Sequence, residues 1–187
     1  KITPKTKVII PVHYNGHPCD MDEILQIAKK NNLHVIEDAA NCAGASYKGQ
    51  KIGNLNSDFT CFSFEAKKNM TTGDGGMITT NKDGDVIEKI RRLRWVGMDK
   101  DTHKRFSNEA EPWEYDIIDL GYKYNMNDIQ AAIGLEQLKK LDGMNEKRRN
   151  IVRKYNEAFK DVPWLKIPVE KKYVKNVYWL YVLRVED

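Results

Sequence analysis

Two short segments combine residue types that could act on a bound ring. In residues 35–40 the acidic pair Glu37 and Asp38 comes directly after an apolar run and directly before two alanines. Alternation along a strand sends the two carboxylates to opposite faces, and a half-buried carboxylate is costly unless something pairs with it. The alanines leave space for a flat cationic ring beside one carboxylate. A simpler interpretation is that Asp38 caps a helix that begins at Ala39.

The second segment, residues 61–76, runs from an apolar stretch into small, polar and glycine residues and carries Lys67 and Lys68. A lysine amine can hold an aldehyde as a Schiff base. Pyridoxal phosphate (PLP) needs both kinds of group, because a carboxylate that keeps its pyridine nitrogen protonated makes the ring an electron sink. Loops are rich in solvated lysines, so a lysine in a loop is weak evidence by itself. Spacing alone also does not decide whether Asp38 caps a helix or contacts a ring.

Hydrophobic patterning predicts how these segments are positioned. Apolar runs predict strands at residues 8–12, 34–37 and 59–64. Asp20 and Glu23 predict a capping box at the start of a helix between the first two strands. Strand, helix and strand within about 30 residues is typical of a right-handed parallel βαβ unit. We therefore expect an α/β fold with a mostly parallel sheet, and a ligand at the carboxyl ends of its strands.

The rest of the chain is predicted to cover and extend this sheet. Residues 77–80 and 178–185 are typical of strands, and residues 100–112 of an exposed loop. Asn127 and Asp128 are expected to cap a long helix that Gly143 could break. Its apolar positions are expected to face inward: Ile129, Ala132, Ile133, Leu135 and Leu138.

Bulk properties exclude several classes of protein. The 187 residues are 41% hydrophobic and 31% charged, with a net charge of +4, which predicts a globular domain with no membrane span. There is no dense basic block with interleaved aromatic residues, so no nucleic-acid partner is expected. No metal site is expected either, since Gly16 and Pro18 rule out the helix that would bring His13 and His17 to one face. Three cysteines without a short spacing imply no disulfide framework, and we expect a cytoplasmic protein.

Five motifs occur in an order that carries a family resemblance. They are Ile9 to His13 with Gly16 and Asp20-Met21, Ile36-Glu37-Asp38-Ala39-Ala40, Phe62-Ser63-Phe64 with Lys68-Asn69, Gly73-Asp74-Gly75-Gly76, and Gly121-Tyr122-Lys123-Tyr124-Asn125-Met126 leading into residues 128–134. From residue 1 to about residue 160 the series closely resembles the nucleotide-sugar aminotransferases of the DegT–StrS group, which have the aspartate-aminotransferase fold.

The resemblance implies a role for each of four residues. Lys68 holds PLP as a Schiff base and later shuttles a proton, while Asp38 pairs with the pyridine nitrogen. Ser63 binds the PLP phosphate. Asn41 stands near the ring hydroxyl, where the family often has the longer Gln.

The segment from Gly121 to Asn125 resembles a loop that reaches the cofactor phosphate of the neighbouring subunit. Many members have Asn where this chain has Lys123, so either Lys123 or Asn125 could make that contact. The resemblance therefore implies a homodimer with shared active sites.

The resemblance also implies the reaction, which is transfer of an amino group from an amino acid, expected to be L-glutamate, to a nucleotide-linked keto-sugar. Residues 1–148 correspond to part of the PLP-binding large domain of a three-layer α/β/α fold, and residues 149–187 to the start of the small C-terminal domain. Family members are roughly twice this length, so the chain resembles an internal fragment. A sugar dehydratase of the same family is an alternative, although those relatives carry His in place of Lys68. A non-catalytic fragment of the fold is another.

Overall fold

The computed structural model describes residues 1–100 and 113–186. Residues 101–112 of the expected exposed loop lie outside that range. In chain order the strands are β1 (Val8–Ile9), β2 (His34–Asp38), β3 (Ser46–Tyr47), β4 (Gln50–Lys51), β5 (Phe59–Ser63), β6 (Gly76–Thr79), β7 (Leu165–Lys166), β8 (Val174–Lys175) and β9 (Arg184–Val185). The helices are α1 (Met21–Lys30), α2 (Gly84–Leu93) and α3 (Asp128–Phe159), and one turn of 3-10 helix spans Tyr14–Gly16.

The central sheet has the strand order β1-β2-β5-β6. Its first three strands are parallel, with Ile9 opposite Val35 and Asp38 opposite Cys61, and β6 runs antiparallel to β5. Helix α1 connects β1 to β2, which confirms the predicted βαβ unit. Two small antiparallel sheets, β4-β3-β8 and β7-β9, complete the strands of the described residues.

The predicted capping box of α1 is wrong. Helix α1 begins after Asp20 as expected, but the Asp20 side chain makes no capping hydrogen bond. Its carboxylate instead accepts hydrogen bonds from Lys171 Nζ and, at 2.7 Å, from Tyr173 Oη. A cationic partner and a hydroxyl donor from the distant C-terminal segment therefore compete successfully with the local backbone.

Helix α3 runs for 32 residues without a break at Gly143. A glycine inside a helix costs about 1 kcal/mol relative to alanine, which a long helix tolerates. The expected inward orientation of its first turns is wrong at all five positions, because Ile129, Ala132, Ile133, Leu135 and Leu138 are exposed. Helix α3 instead buries Leu141, Asn145 and Val152.

The predicted strand at 178–185 is also wrong, since only Arg184–Val185 pairs as a strand. Tyr178 lies in the left-handed region with φ 46°, which turns the chain out of the extended conformation. The apolar run after Tyr178 is therefore a misleading signal for a strand.

The chain divides into two compact units. The first, residues 1–81 and 128–187, holds the central sheet, α1 and α3. The second, residues 82–127, holds α2 and two isolated bridges, Trp95 with Lys123 and Met98 with Ile117. The hydrophobic core belongs to the first unit and consists of Met21, Ala28, Val35, Ala39, Cys42, Ala45, Tyr47, Ile52, Leu55, Val174 and Val177. Within the described residues, no helix is both long enough and apolar enough to cross a bilayer.

Candidate active site

The carboxyl ends of β2 and β5 carry the residues predicted to do chemistry. Because these strands are parallel and adjacent, Asp38 and Ser63 end their strands at the same edge of the sheet. The backbone N–H of Ala39 donates to the carbonyl of Cys61 at 2.9 Å, which joins the two strand ends. The sheet topology therefore brings together what the sequence separates by 25 residues.

Lys68 contacts Asn41 directly. Its Nζ donates a hydrogen bond of 2.8 Å to Asn41 Oδ1, and the same nitrogen lies 4.5 Å from the ring centroid of Trp179. Lys68 is half-buried whereas Lys67 is exposed. Among the described residues no carboxylate forms an ion pair with Lys68, so its amine is not committed to an acidic partner.

The loop that carries Lys68 is closed by backbone hydrogen bonds. Phe64 donates to the carbonyl of Gly75 at 2.8 Å and accepts from Thr72 at 3.0 Å. Within the loop, Lys68 N–H donates to the carbonyl of Glu65 at 3.0 Å. The Glu65 carboxylate accepts from Lys67 N–H at 3.0 Å, so it stabilises the turn just before Lys68.

A buried amide pair fixes the loop to the rest of the first unit. Asn69 Nδ2 donates to Asn145 Oδ1 at 2.8 Å and to the carbonyl of Val177 at 3.1 Å. Asn145 Nδ2 in turn donates to the carbonyl of Ala43 at 3.0 Å. At Gly44, with φ 88°, an added Cβ would lie 2.6 Å from Asn145 Nδ2. The residue after Lys68 is thus held to α3, to the segment after Asp38 and to the C-terminal segment.

Asp38 does not cap a helix, since the residues after it form a turn. Its Oδ1 accepts from Ala40 N–H at 3.0 Å. Among the described residues, no lysine, arginine or histidine pairs with the Asp38 carboxylate. Burial, followed by the charge of Asp38, raises the pKa of the Cys61 thiol. This half-buried carboxylate is therefore available for a cationic partner that the described residues do not supply.

Ser63 has a hydroxyl that is ready to donate. Its Oγ accepts from the backbone N–H of Glu65 at 3.3 Å, which uses one of its two lone pairs and leaves the hydroxyl proton free to rotate. A phosphate oxygen is a suitable acceptor for such a proton. Lys68 offers an amine with no acidic partner among the described residues, Asp38 a carboxylate with no cation among them, and Ser63 a hydroxyl donor. This set of groups fits an aldehyde, a protonated ring nitrogen and a phosphate.

Glu37 points to the other face of β2 and is fully buried together with His13. Glu37 Oε2 lies 2.7 Å from His13 Nε2, and Oε1 accepts from the hydroxyls of Ser57 and, at 2.9 Å, Thr60. His13 Nδ1 accepts from Cys19 N–H at 3.0 Å, so the proton of the neutral ring lies on Nε2 and is donated to Glu37. Burial raises the pKa of Glu37, but the hydrogen bonds from His13, Ser57 and Thr60 outweigh burial and lower it overall.

The buried cluster around Glu37 and His13 stabilises the backbone on the opposite face of β2 from the Asp38 side chain. His13 N–H donates to the carbonyl of Asp38 at 3.0 Å, and Asp38 N–H donates to the carbonyl of Pro11 at 2.9 Å. Glu37 therefore links His13, which follows β1, to Thr60 of β5 through hydrogen bonds. These bonds stabilise the backbone that carries Asp38. Neither His13 nor Glu37 was predicted to have this role, although an acidic residue in an apolar strand and a histidine after another strand are a detectable signal.

Replacing Glu37 with Gln is expected to destabilise the full-length protein by about 2–3 kcal/mol at pH 7, because hydrogen bonds to a charged group contribute ~1.5–3 kcal/mol. The folded protein holds the pKa of Glu37 below its ordinary value of 4.5. The stabilisation is therefore complete above pH 4.5 and is lost as the pH falls through the lower folded value.

Denaturant unfolding from pH 7 down to about pH 3.5 measures this dependence. The difference between wild type and Glu37→Gln should shrink on acidification, while Glu23→Gln, an exposed position on α1, should match wild type throughout. A difference that does not change with pH would contradict a charged Glu37.

Lys123 and Asn125 belong to the second unit. Lys123 is exposed, and its Nζ lies 3.4 Å from the ring centroid of Trp95. Asn125 is half-buried. The amine of Lys123 already has an aromatic partner, which makes Asn125 the less committed of the two candidate phosphate ligands.

Trp179 is the site residue that the sequence did not single out for this place. Its ring lies against the Lys68 amine. Spacing could not reveal this contact, because 111 positions separate the two residues. Within the described residues, no group of three His, Cys, Asp or Glu side chains could hold a metal ion.

Comparison with known proteins identifies the family. The model of the DegT/DnrJ/EryC1/StrS aminotransferase family matches residues 1–187. The chain belongs to this family. The match confirms the family expected from the five ordered motifs.

The chain is similar to curated proteins over nearly its whole length. It is 54% identical over 184 residues to the uncharacterized protein MJ1066 of Methanocaldococcus jannaschii, covering 98% of this chain and 47% of that protein. It is 44% identical over 186 residues to the spore coat polysaccharide biosynthesis protein SpsC of Bacillus subtilis, covering 100% of this chain and 47% of SpsC. The chain thus spans about half the length of the curated relatives it matches.

Solved structures confirm the α/β fold of a PLP-dependent transferase. The putative sugar aminotransferase Spr1654 from Streptococcus pneumoniae, in its PMP form, superposes with a TM-score of 0.89 at 33% identity, covering 99% of this chain and 51% of that one. The same protein in its PLP form gives a TM-score of 0.87 at 32% identity.

Proposed function

We propose that the full-length protein is a PLP-dependent sugar aminotransferase, which moves an amino group from L-glutamate to a nucleotide-linked keto-sugar for polysaccharide or deoxyamino-sugar biosynthesis. Pyridoxal phosphate is the cofactor. The observation that carries this proposal is the amine of Lys68, which follows β5 at the same sheet edge as Asp38. Among the described residues neither group has a partner of opposite charge. SpsC, a polysaccharide biosynthesis protein, and Spr1654, a putative sugar aminotransferase, support the substrate class.

Four residues of the chain have different roles in binding the cofactor and moving the proton. Lys68 Nζ holds the cofactor and accepts the proton released at the amino acid's Cα. Asp38 keeps the ring nitrogen protonated, Ser63 donates to the phosphate, and Asn41 orients the ring hydroxyl and the lysine amine. When bound, PLP withdraws electrons from the reacting carbon.

A panel of nucleotide-linked 3-keto and 4-keto sugars, each incubated with L-glutamate and the full-length protein, tests the substrate. Formation of one amino sugar with an equal amount of 2-oxoglutarate is expected. A product that has lost water without consuming any amino donor would instead establish a dehydratase.

The working unit is proposed to be a cytoplasmic homodimer with shared active sites, in which residues 1–148 form part of the large domain and residues 149–187 begin the small one. The second unit exposes large apolar side chains close to the proposed phosphate loop, including Leu120, Tyr122 and Tyr124. Exposed apolar patches of this kind mark interaction surfaces, and a two-fold pair would bury the same loop twice.

Mixing two inactive variants of the full-length protein tests the shared site. Lys68→Ala removes one group, and Lys123→Ala with Asn125→Ala removes the groups expected to act on the neighbour. One site of each mixed dimer would regain every group, so activity should return to roughly a quarter of wild type, because half of the dimers are mixed and half of their sites are intact. Subunit exchange without any return of activity would show that each site uses residues of one chain only.

A further inference from the structure

The free amine of Lys68 has a defined position in the fold. A lysine side chain is long, flexible and rich in rotamers, yet Lys68 Nζ lies between Asn41 Oδ1 at 2.8 Å and the face of the Trp179 ring at 4.5 Å. Both partners favour an ammonium group, the amide through its oxygen and the indole through its quadrupole. Neither partner is a carboxylate that would hold the ammonium in a tight ion pair.

Trp179 is itself anchored on both sides of this contact. Its indole Nε1–H donates to the carbonyl of Lys67 at 2.9 Å, and its backbone N–H donates to the carbonyl of Asn15 at 3.0 Å. The ring is therefore fixed to the peptide that precedes Lys68 and to the segment that follows β1.

The backbone before Trp179 is strained, and surrounding contacts maintain the strain. Tyr178 has φ 46°, a left-handed conformation that costs energy for a bulky side chain. Its N–H donates to Asn176 Oδ1 at 2.8 Å and its hydroxyl to Glu170 Oε2 at 3.1 Å. Burial, and next the charge of Glu170, raise the pKa of Tyr178 to about 12, so its hydroxyl stays a donor at neutral pH.

Two further contacts hold the same segment. Arg149 Nη1 donates to Glu170 Oε1 at 2.5 Å and to the carbonyl of Asn176 at 2.8 Å. On the opposite side, a Cβ added to Gly16 would lie 2.9 Å from Tyr178 N and 3.0 Å from Trp179 N. Backbone strain that several elements maintain at one residue is typical of functional sites. Here the strained residue, Tyr178, directly precedes Trp179 and fixes its position.

We propose that Trp179 and Asn41 form a resting place for the free Lys68 ammonium, with Trp179 acting as a positioning residue that stabilises the lysine whenever it is not bonded to the cofactor. This inference rests on the proposed function. When the Lys68 amine condenses with the PLP aldehyde, a carbon–nitrogen double bond forms, one water leaves and the nitrogen is no longer a compact ammonium. The resting place therefore favours the free lysine over the bonded one.

The affinities of full-length Trp179→Leu for PLP and for pyridoxamine phosphate test the proposal. Pyridoxamine phosphate has no aldehyde, so Lys68 stays free when it binds. Loss of the ring should therefore strengthen PLP binding relative to pyridoxamine phosphate binding by roughly 3- to 10-fold, the range of one cation–π contact. A purely structural role for Trp179 would weaken both affinities by the same factor, and an unchanged ratio would overturn the proposal.

A second readout uses the cofactor-free protein. Acylation by acetic anhydride, measured by mass spectrometry with Lys67 as internal reference, should modify Lys68 roughly 3- to 10-fold faster in Trp179→Leu than in wild type. Trp164→Leu, at an exposed tryptophan, should match wild type. If Trp179→Leu fails to fold, Trp179→Phe decides. It loses the donor to the carbonyl of Lys67 and has the weaker cation–π face, so Lys68 should be acylated faster than in wild type. A rate equal to wild type would overturn the proposal.

The proposed function and the proposed resting place of Lys68 can be refuted by different results. Wild-type protein that does not attach PLP at Lys68 would refute the proposed function. Normal attachment, with the same PLP to pyridoxamine phosphate ratio in wild type and variants, would refute only the resting place.

Discussion

Lys68→Ala is expected to lower turnover of the full-length protein by at least ~10³-fold, within the 10²- to 10⁴-fold range of one positioned base. The loss should be this large because the same amine both holds the cofactor and moves the proton. Purified Lys68→Ala should also lack the absorbance of lysine-bound PLP. Steady-state kinetics and an absorbance spectrum of the purified protein measure both effects.

Lys67→Ala is the matched control for this change. Lys67 is exposed and contributes only its backbone carbonyl to Trp179, which alanine retains. Lys67→Ala should therefore keep near wild-type turnover and spectrum. Equal losses in the two variants would mean that the loop, rather than the amine of Lys68, is what the reaction needs.

Asp38→Asn is expected to reduce turnover by roughly 10²- to 10³-fold, the size typical of removing one group that stabilises developing charge. The side chain keeps its shape and its hydrogen bond from Ala40 N–H, but it no longer holds the ring nitrogen protonated. The loss should fall on kcat more than on KM, because the carboxylate acts mainly on the reacting state.

Asp142→Asn serves as the control for Asp38→Asn, since Asp142 is an exposed carboxylate on α3 that pairs with Lys51. It should leave kcat unchanged. A full kcat in Asp38→Asn would mean that Asp38 only stabilises the turn at Ala40.

The parallel strands and their order along the chain were predictable, because apolar runs and the helix between them carry a local signal. The sequence also placed Asp38 and Lys68 at the carboxyl edge, since that edge follows from parallel pairing alone. The predictions that were wrong concerned residues whose conformation or hydrogen bonds depend on partners distant in sequence. Asp20 pairs with Lys171 and Tyr173 instead of capping α1. Tyr178 adopts a left-handed conformation, held by hydrogen bonds within the C-terminal segment and by Arg149 of α3, whose guanidinium lies over its ring.

The exposed apolar face of α3 has a different origin. Periodicity predicted that Ile129 and Leu135 face inward, but it does not say which residues would cover them. They are 75% and 63% exposed here, and the chain spans about half of its curated relatives.

The central claim is that Lys68 is the residue that bonds the cofactor. Borohydride reduction of the full-length protein with PLP, followed by proteolysis and peptide sequencing by mass spectrometry, tests this claim most directly, because reduction makes the link permanent. The account predicts one pyridoxyl group per chain, on Lys68. A pyridoxyl group on Lys67, or on any lysine outside the loop between β5 and β6, would contradict it.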